Sequence, residues 1–181
     1  MTIIVFTLGS LGLIWISRKS LFKPRVHGFF RFWAWEAILG LVVLSAPAWF
    51  REPFSIRQMI SWLFLLAGLF LVVESVRLLR RLGKQDRSRQ DVNLVGLEKT
   101  STLVRSGLYK YIRHPMYSSL LFLAWGAFLK KPAWPGGLLA LAASVLLVLT
   151  AKTEEAEDVL YFGPSYQDYR RQTKMFLPFI Y

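Results

Sequence analysis

The 181-residue chain contains no cysteine and only two histidines. Disulfides, thiolate zinc sites and iron–sulfur clusters are therefore excluded, and an all-histidine metal centre has too few ligands. Acidic residues are also scarce, 11 against 23 Lys and Arg, for a formal net charge of +12. That balance does not point to nucleic acid, because the basic residues sit in blocks between apolar runs instead of lining one face. No Gly-x-Gly-x-x-Gly occurs, so a Rossmann-type domain is not expected. What the chain has in abundance is apolar residues: 54% hydrophobic, with a mean hydropathy of +0.39. This composition is that of an integral membrane protein.

The apolar runs predict an all-α fold of about five transmembrane helices. The first run, Thr2 to Ile16, is followed by Arg18, Lys19, Lys23 and Arg25, the charge order of an uncleaved anchor whose N-terminus lies outside. It is short for a span, so flanking residues such as Ser17, or a thinned bilayer, must complete it. His27, in the basic connection that follows, reads as an ordinary loop histidine. Phe32 to Phe50 carries Trp33 and Trp35 near one end and Trp49 near the other, matching two aromatic belts, and Pro47 is expected to kink or end it. Glu36 reads as a structural carboxylate, satisfied by Arg31 or by snorkelling. Met59 to Leu79 spans roughly 31 Å unaided, and Glu74 with Arg77 predicts an ion pair along one face.

Residues 1–79 thus supply three spans, and residues 80–114 a polar connection whose Arg80, Arg81, Lys84, Arg87 and Arg89 suit anionic headgroups. Over residues 115–151, Met116 to Leu129 and Leu138 to Ala151 flank a Pro/Gly-rich turn, predicting a helical hairpin of two short arms. Residues 152–181 complete a single membrane domain as a helical tail. With the N-terminus outside, only Arg51, Arg57, Lys130 and Lys131 fall outside, while Arg77 stays within a span. The remaining basic residues are cytoplasmic, as the positive-inside rule requires.

Charged and aromatic groups crowd one stretch, Gly107 to Tyr117. Pro115 suits the first turn of a helix and biases His114 toward an extended conformation. Arg113 and His114 then precede a helix start, where backbone N–H groups join them as a receptor for a carboxylate or phosphate. Headgroup anchoring accounts for the same two residues equally well. In the tail, Lys152 to Asp158 continue directly from the apolar helix until Phe162-Gly163-Pro164 break it, and Glu154 and Glu155 point about 100° apart on that helix. A solvated acidic turn is the plain reading of that pair, but the hairpin should return it to the neighbourhood of Arg113 and His114.

Four segments carry a family resemblance: Leu103-Val104-Arg105-Ser106-Gly107-Leu108-Tyr109, Arg113-His114-Pro115-Met116-Tyr117, Glu154-Glu155, and Phe162-Gly163-Pro164-Ser165-Tyr166-Gln167-Asp168-Tyr169. Together they resemble the membrane methyltransferases related to isoprenylcysteine carboxyl methyltransferase and the phospholipid N-methyltransferases. The resemblance covers about Leu82 to Tyr181. Two positions depart from it: Leu108 stands where the family often has proline, and Ser119 where glycine commonly follows the tyrosine. The resemblance implies S-adenosylmethionine as methyl donor, bound on the cytoplasmic side by Gly107, Leu108, Tyr109, Tyr111, Ile112, Arg113, His114, Pro115 and Tyr117 with Glu154 and Glu155. It also implies a lipophilic acceptor drawn from the membrane.

The residue chemistry agrees with that donor. Arg113 and His114 can neutralise a carboxylate, a glutamate can accept from hydroxyls or balance an ammonium, and tyrosine faces suit a sulfonium. Arg113, Glu154 and Glu155 are the catalytic candidates; if the acceptor starts protonated, Glu155 or Glu154 is the base. A membrane reductase of sterol-reductase type, holding NADPH, is the main rival, because Phe176-Leu177-Pro178-Phe179-Ile180-Tyr181 resembles the tail of those enzymes. The glutamate pair followed by Phe-Gly argues for the methyltransferase. A non-enzymatic lipid-binding protein is the second rival, and it predicts that neither cofactor binds.

Overall fold

A computed structural model describes residues 2–84 and 100–178. Arg87, Arg89 and the last three residues of the aromatic tail, Phe179 to Tyr181, lie outside the described residues. Six α-helices follow in order: α1 (Thr2–Ser17), α2 (His27–Ser45), α3 (Ile56–Leu82), α4 (Pro115–Lys130), α5 (Trp134–Phe162) and α6 (Pro164–Gln172). No strand occurs among the described residues, and an isolated parallel bridge joins Ile112 to Lys174. Three helical segments, His27–Ala48, Ile56–Leu82 and Trp134–Phe162, are long and apolar enough to cross a membrane. The chain is an integral membrane protein.

Element boundaries follow local chemistry. Pro47 ends α2 in a 3₁₀ turn over Ala46–Ala48, because its ring blocks helix continuation and it lacks an N–H. Ser55 caps α3, its hydroxyl accepting from the Gln58 amide. Gly163, at φ +61°, terminates α5 in a conformation that disfavours a Cβ, and Pro164 starts α6. One expectation is corrected here: Arg80 and Arg81 belong to the last turn of α3, where cations favour the helix dipole. The acidic segment continues directly from the apolar arm, so that α5 runs 29 residues, without interruption, to Phe162.

The bundle packs α3 on α4 and α2 on α5, with α1 against α2 and α4 touching both α2 and α5. Small residues permit these contacts. Ala124, Ala127, Ala140, Ala143 and Ala151 are wholly or almost wholly buried, and a Cβ on Gly68 would stand 3.0 Å from the Ser119 carbonyl. The hydroxyl of Ser61 donates to the Gly126 carbonyl at 2.7 Å. Glu36 takes the Ser10 hydroxyl on one oxygen, at 2.8 Å, and its other oxygen is buried without a hydrogen-bond partner; the expected partner, Arg31, instead stacks its guanidinium over Trp35. Glu74 and Arg77 pair at 3.4 Å as the sequence predicts.

Lys130, a turn residue in the sequence, is the last residue of α4 and is fully buried. Its ammonium donates to Gln58 Oε1 at 2.9 Å and lies 3.6 Å from the Trp62 ring centroid. Gln58 in turn donates to the Ala48 carbonyl, and Arg57 to the Leu129 carbonyl at 2.8 Å and to that of Lys130. One cation thereby joins α3, α4 and the end of α2. Lys130→Ala should lower stability by about 2–4 kcal/mol, combining the lost cation–π contact with an unpaired amide. Lys131→Ala, at an exposed position, should stay within ~0.5 kcal/mol. Denaturant titration in detergent measures both.

Candidate active site

The motif and the tail meet along a short backbone seam. The Arg113 amide donates to the Lys174 carbonyl at 2.8 Å, the His114 amide to Met175, and the Lys174 amide back to Tyr111. The hydroxyl of Ser118, in the first turn of α4, donates to the Phe176 carbonyl. Beneath this seam the third from last turn of α5 presents its acids. Arg113 Nε donates to Glu155 Oε1 at 2.7 Å, and Arg113 Nη1 to the carbonyls of Arg170 and Thr173. The hairpin therefore does bring the glutamates beside the motif.

His114 lies between the two acids, Nδ1 3.4 Å from Glu154 and Nε2 3.3 Å from Glu155. Both nitrogens can face carboxylates as donors only in the imidazolium form. Burial opposes that charge, but the hydrogen bonds and charges of Glu154 and Glu155 outweigh it and raise the His114 pKa from 6.5 to about 9. The Tyr117 ring stacks on the imidazole at 5.4 Å between centroids.

An aromatic-lined cavity opens beside this cluster. Its walls include Tyr109, Arg113, His114, Pro115, Met116, Tyr117, Glu154, Asp158, Phe162, Tyr166 and Tyr169, with Leu79, Thr100, Leu103 and Val104 completing the rim. Of the sequence candidates, Tyr109, Arg113, His114, Pro115, Tyr117 and Glu154 line it. The others are placed differently. Gly107, at φ +61°, sits where a Cβ would come within 2.7 Å of the Leu78 side chain, so it sets the turn against α3. Leu108, Tyr111 and Ile112 line a separate apolar cavity with Phe122 and Phe176, and Tyr111 is half-exposed. Glu155 is turned away from the cavity toward Arg113, with Arg170 4.0 Å off on its other oxygen.

Sequence reasoning left out Asp158 and Phe162 as site residues and used Tyr166 and Tyr169 only as carriers of the resemblance. Their signal was available: Asp158 is four residues after Glu154 and Phe162 four after Asp158, one helix face. Burial raises the pKa of both tyrosine hydroxyls, with Asp158 adding to the rise at Tyr166, so both remain neutral phenols. The Tyr169 hydroxyl donates to the Tyr109 carbonyl at 2.7 Å, holding α6 to the motif. His27 is a further correction, being fully buried at the start of α2. Its amide and Nδ1 contact Glu157 at 3.1 and 2.7 Å. Val26, the residue before it, has no side chain able to cap α2. Glu157 supplies that cap from α5, tying the first half of the chain to the turn that carries Glu154 and Asp158.

Comparison with known proteins relates the sequence to a methyltransferase family. Residues 56–159 match the family model for phospholipid methyltransferase. The chain is 28% identical over 152 residues to methanethiol S-methyltransferase 2 of Bradyrhizobium diazoefficiens, covering 81% of this chain and 53% of that protein. It is 33% identical over 129 residues to the protein-S-isoprenylcysteine O-methyltransferase of Rattus norvegicus, covering 68% of this chain and 44% of that protein. The chain thus spans about half the length of the curated relatives it matches. No solved structure matches it significantly.

A raised His114 pKa gives the site a pH limit. Its contribution to stability is fully present below 6.5, the ordinary value, and is lost as pH rises through about 9. Wild-type protein should lose thermal stability through that window, by about 3 kcal/mol in all. His114→Gln should start lower and show no such transition; melting curves across pH measure it.

Proposed function

Because this chain belongs to the phospholipid methyltransferase family, we propose that it transfers a methyl group from S-adenosylmethionine to a lipophilic acceptor at the cytoplasmic membrane face. The observation that carries this reading is the imidazolium held between Glu154 and Glu155 on the wall of an aromatic cavity. In addition, Glu154 Oε2 is buried there without a hydrogen-bond donor in bonding geometry, its nearest cation being His114 at 3.4 Å. Residues of this kind fit a zwitterionic donor: acids for ammonium or hydroxyl groups, the cationic edge of Arg113 and His114 for a carboxylate, and rings for a heterocycle or sulfonium. When bound, the donor supplies an electrophilic methyl on a cationic sulfur.

The protein's own part is alignment, worth far more here than covalent participation. Glu155 is engaged by Arg113, His114 and Arg170 and is turned away from the cavity, whereas Glu154 lies on the cavity wall and is the acid placed to meet the proton of a protonated acceptor. Arg113 acts chiefly by fixing the tail to the motif, since its donors reach Glu155 and two tail carbonyls. Acceptor access is lateral. Leu79 of α3, Met116 of α4 and Asp158 of α5 share the cavity rim, while α3 packs on α4 and makes no extensive contact with α5. That leaves a side facing the bilayer.

The topology is five spans with the N-terminus outside. α1 and α4, at 16 residues each, rise roughly 24 Å and complete their crossings with flanking residues. This puts the motif, α6 and the tail on the cytoplasmic side, where most Lys and Arg residues then fall.

Isothermal titration of detergent-purified protein tests the donor. S-adenosylmethionine and S-adenosylhomocysteine should bind and NADPH should not; binding of NADPH alone would overturn the reading in favour of a reductase. With a protonated acceptor, Glu154→Gln should reduce turnover at least ~100-fold and also lower the melting temperature, because it removes one of the two carboxylates that face the His114 imidazolium. Glu155→Ala should instead destabilise the protein by about 3–5 kcal/mol, because it leaves Arg113 and His114 buried without their shared counter-ion.

A further inference from the structure

Asp158 stands one helical turn beyond Glu154 on the same face of α5, and it lines the cavity together with Phe162, Tyr166, Tyr169 and Tyr109. Phe162 and Tyr166 lie nearly parallel, 17° between planes with centroids 6.4 Å apart, and Tyr169 meets Tyr166 edge-on. The phenols at 166 and 169 are buried and stay protonated, so their rings present neutral faces with no ionised oxygen. A carboxylate beside several aromatic faces is a receptor for a diffuse cation, one with carbon substituents in place of N–H donors. A strongly hydrated ammonium is better served one turn back along α5, where Glu154 offers a buried carboxylate oxygen. There the two glutamates offset part of the charge of Arg113 and His114.

Resting on the donor reading above, we propose that Asp158 and the rings around it recognise the cationic sulfur of the donor, making Asp158 the residue that discriminates methylated donor from demethylated product. S-adenosylmethionine and S-adenosylhomocysteine carry the same ammonium, carboxylate and nucleoside. They differ only at sulfur, a sulfonium in one and a neutral thioether in the other. During transfer the sulfur–methyl bond breaks with its electron pair staying on sulfur, a bond forms between that methyl and the acceptor atom, and any acceptor proton goes to Glu154. The sulfur is then neutral. Its attraction to Asp158 and the rings disappears at that moment, which favours departure of the product over retention of it.

The test is the ratio of the two dissociation constants, measured by titration calorimetry on the full-length chain in detergent. Asp158→Asn should weaken S-adenosylmethionine about tenfold and leave S-adenosylhomocysteine within about twofold. Asp158→Glu, which keeps the charge, should restore most of the preference. Should Asp158→Asn fail to fold, Phe162→Leu removes an aromatic face without removing charge and should narrow the ratio in the same direction. Equal weakening of both ligands, or no weakening of either, would overturn the role of Asp158 while leaving the donor assignment standing. If the wild-type protein binds neither ligand, the donor assignment falls and this inference falls with it.

Discussion

Arg113, His114, Glu154 and Glu155 form a charge cluster at the edge of an apolar bundle, and the arrangement of the last third of the chain depends on it. An isolated ion in such a place costs several kcal/mol, so each member is tolerable only while the others are present. That requirement fixes the register of α5 against the start of α4: shift α5 by one residue and the acids leave the imidazole. It also fixes the tail. Arg113 reaches past Glu155 to the carbonyls of residues 170 and 173, so the chain beyond α6 is drawn back along the motif, where the amides of Arg113, His114 and Lys174 complete a bridge.

The opposite end of the bundle is closed by different chemistry. Lys130 sits against Trp62 with Gln58 as acceptor, and alanine and glycine let α4 approach α3, α2 and α5 closely. With one end held by a cation and aromatic rings and the other by ion pairs, α4 becomes the fixed centre of the bundle. α3 and α5 lie on either side of it without extensive mutual contact. The cavity is lined by residues of both helices, Leu79 of α3 and Glu154, Asp158 and Phe162 of α5, together with the start of α4.

Several of these features were legible in the chain. Pro47 and Gly163 mark helix ends because their backbone restrictions operate whatever the tertiary context. Glu74 and Arg77 pair because their spacing alone brings them together. The meeting of the glutamates with Arg113 and His114 was legible too, since a short Pro/Gly turn between two helices admits few geometries. His27 was misread because a polar residue between apolar runs is exposed by default, and only a partner distant in sequence can make its burial tolerable; the burial of Lys130 was not foreseen for the same reason. Their partners, Glu157 for His27 and Gln58 with Trp62 for Lys130, stand 130 and 72 residues away or similarly far. Nothing local announces them.

By itself, the sequence determined a membrane-embedded helical chain, the positions of its main turns, and the set of ionisable groups available to a site. Those outcomes rest on hydropathy, backbone restriction and short-range spacing, all of which are properties of adjacent residues. Tertiary structure alone decided how that set is divided. Glu155 locks onto Arg113 while Glu154 faces the cavity, Asp158 joins it, and Tyr111 with Ile112 falls on the other side of the motif. Which of two adjacent glutamates pairs and which remains on the wall depends on the rotation of α5 about its own axis, and that angle is set by contacts with α2, α4 and the returning tail.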